Sequence, residues 1–267
     1  MKPKMITRVT TTEFETDDGV IHDIPFELDE VPTVEEFQRI YDEWFRLFQQ
    51  KGLIDKNIRL LGGKPLLAYP ILAALGCGDI SRVILSTDSE KYAKIGAEFG
   101  AEVPWLRPQK LSGDKAKRSD VILDILDKCP GYDIILYLEP TSPFTSSEDI
   151  LAAIDLLISK DSNAESVVGI ARNETYHPMY AVRDDNGFLA PYLAKSFADI
   201  PVNRQDLDDV WFFDGSLYVS YVDSFKKYRE FYHEKTLGIE LEEYKRIEID
   251  SLFDFDIAKT ILDEKSK

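Results

Sequence analysis

Strand-like and helix-like patterns alternate along the chain from residue 57 onward, and this alternation constrains the fold more than any other feature. Short apolar runs that are rich in β-branched residues predict buried strands at "RVILSTD" (82–88), "YDIILYLEP" (132–140) and "ESVVGIAR" (165–172). The segments between them, "SEKYAKIGAEFG" and "SSEDILAAIDLLISK", are typical of helices. The pattern predicts an α/β fold: a Rossmann-like, mainly parallel sheet with helices on both faces. Ligands of such sheets bind beyond the carboxyl ends of the strands, where the loops "STD", "EPTSP" and "IAR" fall.

The composition narrows the class of ligand. A formal net charge of −17 over 267 residues argues against binding to a nucleic-acid backbone, which requires a continuous basic surface. A net negative charge is still compatible with binding of one nucleotide by a local cluster of Lys and Arg. We find no apolar window long enough to span a membrane and no secretory start, so we expect a soluble, cytoplasmic protein. Cys77 and Cys129 lack metal-ligand spacing and are expected to be reduced packing residues.

Residues 1–50 lack the alternation of strand and helix patterns that marks the rest of the chain. Asp18-Gly19, between β-branched and aromatic residues, predicts a hairpin. Thr33 followed by Glu36 predicts a capping box at the start of a helix. That helix has a broad aromatic face, which we expect to form core or interface rather than a ligand box: Phe37, Ile40, Tyr41, Trp44, Phe45 and Phe48.

A segment at 176–215 interrupts the alternation. It contains a predicted hairpin at Asp185-Asn186-Gly187 followed by irregular sequence. This suits an excursion that forms a homodimer contact or covers a site.

Five ordered motifs carry a family resemblance: "KNIRLLGGKPLLAYPI", "RVILSTDSEKYAKIGAEFGAEVPWLRP", "YLEPTSPF", "NRQ" and "IEID". Over residues 51–267 the chain resembles the CMP-sialic acid synthetases, or acylneuraminate cytidylyltransferases. The resemblance implies a fold of the nucleotide-diphospho-sugar transferase type. It also implies transfer of CMP from CTP to an α-keto sugar acid of the sialic, legionaminic, pseudaminic or ketodeoxy type, with Mg²⁺ as cofactor and release of pyrophosphate.

Candidate nucleotide contacts follow from this resemblance and from the chemistry. Attack on an α-phosphate concentrates negative charge, so the site needs cations. Lys56 is the candidate catalytic cation, and Asn57 is a candidate contact to ribose or phosphate; the alternative for Lys56 is an exposed loop lysine. The family places the strand with Arg82, Ser86 and Asp88 near cytosine and ribose, although Ser86 or Asp88 could instead cap a helix.

Several candidate residues depart from the family pattern. Glu139, a candidate nucleotide contact, stands where glutamine is usual, and an ionised glutamate cannot donate a hydrogen bond to a base. Thr145 stands where arginine is usual. Arg204 and Gln205 match a pair whose arginine suits a sugar carboxylate, so we expect them to bind substrate, with Arg204 also catalytic. Asp214, also a candidate substrate contact, replaces an asparagine.

The "IEID" motif predicts a metal site. Glu248 and Asp250 lie two residues apart on a predicted strand, so both carboxylates point to one face and could hold Mg²⁺. The family has two aspartates here, and the alternative is a solvated acidic strand end. Asp254 and Asp256 are expected at the start of the last helix.

The glycine-rich phosphate loop of the family is missing. Bulky residues at 46–50 stand where its backbone amides would cradle the triphosphate. Two functions therefore stay open: a cytidylyltransferase, or a noncatalytic relative that acts in binding or assembly.

Overall fold

A computed structural model of the chain describes residues 4–24, 28–49, 53, 55–113, 115–160, 163–172 and 176–265. The side chains of residues 43–49 and of Arg204 lie outside this description, and so do the predictions for Trp44, Phe45, Phe48 and the segment 46–50. The chain forms two compact units, Met1–Lys56 and Asn57–Lys267. The predicted division at residues 50 and 51 falls close to this boundary.

The amino-terminal unit is a three-stranded antiparallel sheet with one helix. Its elements are β1 (Ile6–Val9), β2 (Glu13–Thr16), β3 (Ile21–Asp23) and α1 (Val34–Gln49). The β2–β3 hairpin turns at Gly19, which has a φ of +77°, as predicted. Reciprocal hydrogen bonds between Thr33 and Glu36 confirm the capping box. Phe14 on β2 packs against the rings of Phe37 and Tyr41 of α1, which joins helix to sheet.

The second unit carries the remaining elements. Its helices are α2 (Ala68–Leu75), α3 (Glu90–Glu98), α4 (Arg118–Lys128), α5 (Ser147–Ile158), α6 (Val222–Tyr228) and α7 (Leu252–Lys265). Its strands are β4 (Leu60–Leu61), β5 (Lys64–Pro65), β6 (Ile134–Leu138), β7 (Ser166–Arg172), β8 (Val182–Asp185), β9 (Phe188–Pro191), β10 (Trp211–Tyr221) and β11 (Thr236–Glu240).

The main sheet has the strand order β11-β7-β10-β6. β11 is parallel to β7, and β10 is antiparallel to both β7 and β6, so three of the four strands run in one direction. Alternate residues of β7 face opposite helix layers. Val167 packs with α2 and α5, whereas Val168 packs with α4 and Phe225 of α6. The predicted α/β fold with helices on both faces is confirmed.

Two predicted strands are wrong in detail. The run 82–88 forms a single parallel bridge, from Ile84 to Glu102. The pairing does not continue because Pro104, two residues after Glu102, has no N–H to donate to the run 82–88. The segment 247–250 is not a strand either, and Ile249 N donates one backbone hydrogen bond to Thr141 O at 2.9 Å. Burial still alternates there: Ile249 is buried, and Glu248 and Asp250 are exposed.

The predicted hairpin in the excursion forms β8 and β9, with positive φ at Asn186 and Gly187. The two segments predicted as helices form α3 and α5: Gly100, at a φ of +96°, follows the end of α3, and Ser146 and Asp149 form a capping box at α5. In the described part of the chain no helix is long and apolar enough to span a membrane.

Candidate active site

The site is built where β10 enters the sheet. Because β10 runs against its neighbours, its first half lies beside the carboxyl ends of β6 and β7. Leu217 pairs with Leu138, the last residue of β6, and Phe213 pairs with Ile170 near the end of β7. The register shifts between Phe213 and Tyr218, so residues 214–216 form an irregularity at that edge. Such irregular strand positions re-aim side chains next to functional sites.

Asp214 is a buried carboxyl group within this irregularity, and 9% of its surface is exposed. Its Oδ1 accepts hydrogen bonds from Ser216 N (2.9 Å) and Ser216 Oγ (2.6 Å). Its Oδ2 is buried and has no hydrogen-bond partner among the described residues. Burial raises the pKa of Asp214 above its usual value, although the bonds from Ser216 oppose the shift. Oδ2 is therefore an oxygen that a ligand or water could satisfy.

The loop after β6 lies along the same segment of β10. Ser142 Oγ donates to Gly215 O, and Thr145 Oγ1 donates to Ser216 O, both by long hydrogen bonds of 3.5 and 3.4 Å. Thr141 Oγ1 is a second buried atom without a hydrogen-bond partner in the described chain. Thr145, which stands where the family usually has arginine, is thus a buried packing residue here.

Glu139 lies at the start of this loop, immediately after β6. Its Oε1 accepts a hydrogen bond from Tyr137 Oη at 3.1 Å and lies 3.9 Å from Arg118 Nη1. Burial, reinforced by the charge of Glu139, raises the pKa of Tyr137. The Arg118 guanidinium also pairs with Glu230 at 2.8 Å and lies 4.6 Å from the ring centroid of Tyr218. The Glu139 carboxylate is therefore held by the hydrogen bond from Tyr137 and lies near the positive charge of Arg118.

Glu248 and Asp250 reach the site from the segment before α7. The Ile249 amide bonds to Thr141 O, so this segment runs beside the loop after β6. A Cβ added to Gly215, whose φ is +76°, would lie 3.4 Å from Glu248 Oε2. Glu248 and Asp250 are exposed and Ile249 between them is buried, so the burial follows a period of two. Among the described residues we find no group of three or more His, Cys, Asp or Glu arranged for a metal.

Asp254 lies in the first turn of α7 and forms a cap with Ser251: its Oδ2 accepts hydrogen bonds from the backbone amides of Asp250 and Ser251, and its own amide donates to Ser251 Oγ. This confirms its predicted place at the start of the last helix. The cap also fixes the backbone at Asp250, whose carboxylate is one of the predicted metal ligands.

Three predicted nucleotide contacts have other neighbours. Arg82 makes a bidentate pair with Glu102 at 3.0 and 2.6 Å, and this pairing raises the pKa of Arg82. Asp88 lies 3.8 Å from Arg107 Nη2 and is exposed, and Ser86 is half-buried. The cap of α3 is Ser89, which accepts a hydrogen bond from Tyr92 N, rather than Ser86 or Asp88. Nucleotide binding by these three residues stays a prediction.

The remaining predicted residues lie in short turns. Lys56 and Asn57 belong to a 3₁₀ turn, Lys56–Ile58, at the boundary between the two units. Asn57 Oδ1 is buried and has no hydrogen-bond partner among the described residues. Gln205 is exposed in the turn Arg204–Asp206, and the prediction for the Arg204 side chain lies outside the described residues.

Sequence reasoning missed the ion pair between Lys245 and Asp149. Lys245 Nζ lies 2.9 and 2.8 Å from the two carboxylate oxygens of Asp149. Asp149 is identifiable from the sequence only as a capping residue of α5, and Lys245 stands in the ordinary charged run "EEYKR". The two residues are 96 positions apart, so no local pattern could have joined them.

Two solved structures share this fold. A CMP:2-keto-3-deoxy-manno-octonic acid synthetase in complex with CTP aligns with a TM-score of 0.57 at 13% identity, over 79% of this chain and 92% of its own. A 4-diphosphocytidyl-2C-methyl-D-erythritol synthase from Anaerococcus prevotii aligns with a TM-score of 0.54 at 17% identity, over 78% and 93%. The fold is thus of the nucleotide-diphospho-sugar transferase type.

Within that class, the chain belongs to the cytidylyltransferase family, whose model matches residues 48–260. The N-acylneuraminate cytidylyltransferase of Escherichia coli O18:K1:H7 is 30% identical over 81% of this chain, which spans 50% of that relative's length. The CMP-N,N'-diacetyllegionaminic acid synthase of Legionella pneumophila is 29% identical over 80% of this chain and 91% of its own. A post-translational flagellin modification protein B of Campylobacter coli is 26% identical over 81% and 92%. The family resemblance predicted from the motifs is confirmed.

Proposed function

We propose that this chain is a nucleotidyltransferase that transfers CMP from CTP to the anomeric hydroxyl of an α-keto sugar acid. The bond from that hydroxyl oxygen to the α-phosphorus forms, and the bond from the α-phosphorus to the oxygen bridging to the β-phosphate breaks. Pyrophosphate leaves with the bridging oxygen and its electron pair, and the hydroxyl proton passes to solvent. The names of the relatives from E. coli and L. pneumophila support this choice of reaction.

One observation carries the proposal: three separate segments meet at the carboxyl edge of the sheet. They are the loop 139–145, the irregularity 214–216 of β10, and residues 248–250. The first and third include residues of the motifs "YLEPTSPF" and "IEID", the second contains the candidate substrate contact Asp214, and each brings acceptor oxygens. Ligands of open α/β sheets bind at this edge.

The residues present fit Mg²⁺, which is part of the proposal. Glu248 and Asp250 offer hard carboxylate oxygens, which Mg²⁺ prefers, and both residues are exposed. Mg²⁺ would neutralise the charge of the triphosphate and of the departing pyrophosphate. Glu248 and Asp250 would hold the ion, while the buried Asp214 Oδ2 and Thr141 Oγ1 would bond to polar groups of the substrate.

The experiment is a pyrophosphate-release assay with CTP, Mg²⁺ and one of three sugar acids: N-acetylneuraminic acid, N,N'-diacetyllegionaminic acid or 2-keto-3-deoxy-manno-octonic acid. We expect release that requires both CTP and one of these acids. Calorimetry of CTP with Mg²⁺ should give binding weaker than micromolar, because residues 46–50 lack the amide cradle of a glycine-rich loop. Micromolar binding would show that another segment supplies the phosphate contacts.

The alternative is a noncatalytic binding or assembly protein. It is favoured by the separate amino-terminal unit, whose sheet and most of whose helix precede residue 48, where the match to the family model begins. Binding of a sugar acid by calorimetry, with no pyrophosphate released from any of the three acids, would favour this function over the enzyme.

We also propose that the second unit forms a homodimer through the excursion. Large apolar side chains are exposed there, with Tyr176, Phe188 and Val202 at 80%, 79% and 93%. A concentration of exposed apolar surface is typical of a protein interface. Light scattering is expected to give about twice the chain mass of 30.6 kDa. The mass of a single chain at micromolar concentration would contradict the dimer.

A further inference from the structure

Lys245 and Asp149 form an ion pair beneath the proposed site. The Lys245 side chain is 8% exposed and that of Asp149 13%. Burial lowers the pKa of Lys245, but its hydrogen bonds to Asp149 and Glu242 and their negative charge together outweigh burial, so the net shift of the pKa is upward. Glu242 lies on the exposed side, 3.3 Å from Lys245 Nζ.

The two partners belong to the two segments that meet at the site. Asp149 closes the capping box with Ser146, so it fixes the end of the loop after β6. Lys245 lies in the 3₁₀ turn Glu243–Arg246, three residues before Glu248. The ion pair therefore joins the turn that precedes residues 248–250 to the end of the loop after β6. The hydrogen bond from Ile249 N to Thr141 O joins residues 248–250 to the same loop at a second point.

The ion pair also sets the charge near the site. The negative charge of Asp149 contributes to the raised pKa of Asp214. Lys245 is the positive partner that offsets Asp149, because it bonds to both of its oxygens. Without Lys245, Asp149 would be a buried carboxylate lacking its counter-ion, and the loop would have to move to hydrate it.

We propose that Lys245 is a positioning residue for the transfer reaction. Through its ion pair with Asp149, Lys245 keeps Glu248 and Asp250 beside the loop 139–145. This inference rests on the proposed function. A buried ion pair contributes little net stability relative to apolar residues of similar size. Its removal should therefore be felt in the geometry of the site more than in folding.

The test compares the wild-type chain with the double variant Lys245→Met/Asp149→Leu, in which both charges are replaced by apolar groups. Mn²⁺ binding, followed by electron paramagnetic resonance, serves as a readout that does not depend on turnover. We expect Mn²⁺ affinity and kcat each to fall about tenfold, the scale seen when groups that orient metal ligands are lost. KM for CTP should change by less than about twofold, because the nucleotide contacts are untouched.

Two further variants test whether the ion pair itself causes the loss of Mn²⁺ affinity. Lys245→Arg, which retains the charge, should restore most of the Mn²⁺ affinity; a loss as large as that of the double variant would overturn the role of the ion pair. If the double variant does not fold, Lys245→Met/Asp149→Asn gives the same comparison, because it also removes both charges and leaves a side-chain oxygen at residue 149 for the capping box. The matched control is Lys128→Met/Asp124→Leu, an exposed pair on α4, which should leave both readouts unchanged.

The outcomes separate the inference from the function on which it rests. A wild-type chain that turns over CTP, together with a folded double variant of unchanged Mn²⁺ affinity and kcat, overturns the positioning role alone. A wild-type chain that neither binds Mn²⁺ nor releases pyrophosphate overturns the proposed function, and the positioning role with it.

Discussion

Replacing Asp250 by asparagine is expected to abolish Mg²⁺-dependent turnover. The change removes one anionic oxygen from the proposed metal pair and keeps the size of the side chain. The backbone at residue 250 stays anchored, since its amide donates to Asp254 Oδ2 at 3.1 Å. We expect kcat/KM for CTP to fall at least about 100-fold, which corresponds to about 2.7 kcal/mol of transition-state stabilisation. Initial rates of pyrophosphate release measure this loss.

Asp256→Asn is the matched control for this variant. Asp256 is exposed on α7, six residues further along the chain, and its substitution makes the same change of charge. Its rates should stay within about twofold of wild type, as for surface substitutions away from special features. Unchanged turnover in Asp250→Asn would make the segment 247–250 structural.

Periodicity predicted the elements whose signals are local. The helix cap at Thr33 and the hairpins at Gly19 and Gly187 are each predicted from a few neighbouring residues, and the structure has each of them. The direction of a strand is not encoded in its own pattern, so the antiparallel course of β10 was not predicted. That course brings Asp214 to the carboxyl edge of the sheet.

The site shows the same division between local and long-range information. Glu248 and Asp250 were predicted to share one side of a strand; the segment is not a strand, but the two residues are exposed on either side of the fully buried Ile249. The bidentate pair of Arg82 with Glu102 joins residues 20 apart, and the pair of Lys245 with Asp149 joins residues 96 apart. Pairing at such distances depends on the tertiary fold, and a single sequence does not contain it in any local pattern.

Gly169→Ala is expected to destabilise the second unit strongly. Gly169 lies on β7 opposite the irregular part of β10, and a Cβ there would lie 2.3 Å from both Asp214 Oδ1 and Ser216 Oγ. Neither atom can withdraw easily, because both are buried and bonded to each other at 2.6 Å. The variant must either strain the sheet or break that bond and leave polar groups buried without partners.

We expect Gly169→Ala to lose about 3 kcal/mol of unfolding free energy, a large part of the 5–15 kcal/mol typical of a domain. By thermal denaturation this corresponds to a decrease in Tm of about 6–12 °C. Gly78→Ala is the control, because a Cβ at Gly78 meets no atom within 4 Å, and its Tm should stay close to wild type. The pair of variants also tests the site itself. If Gly169→Ala were as stable as Gly78→Ala, the side chains of Asp214 and Ser216 could not lie against β7.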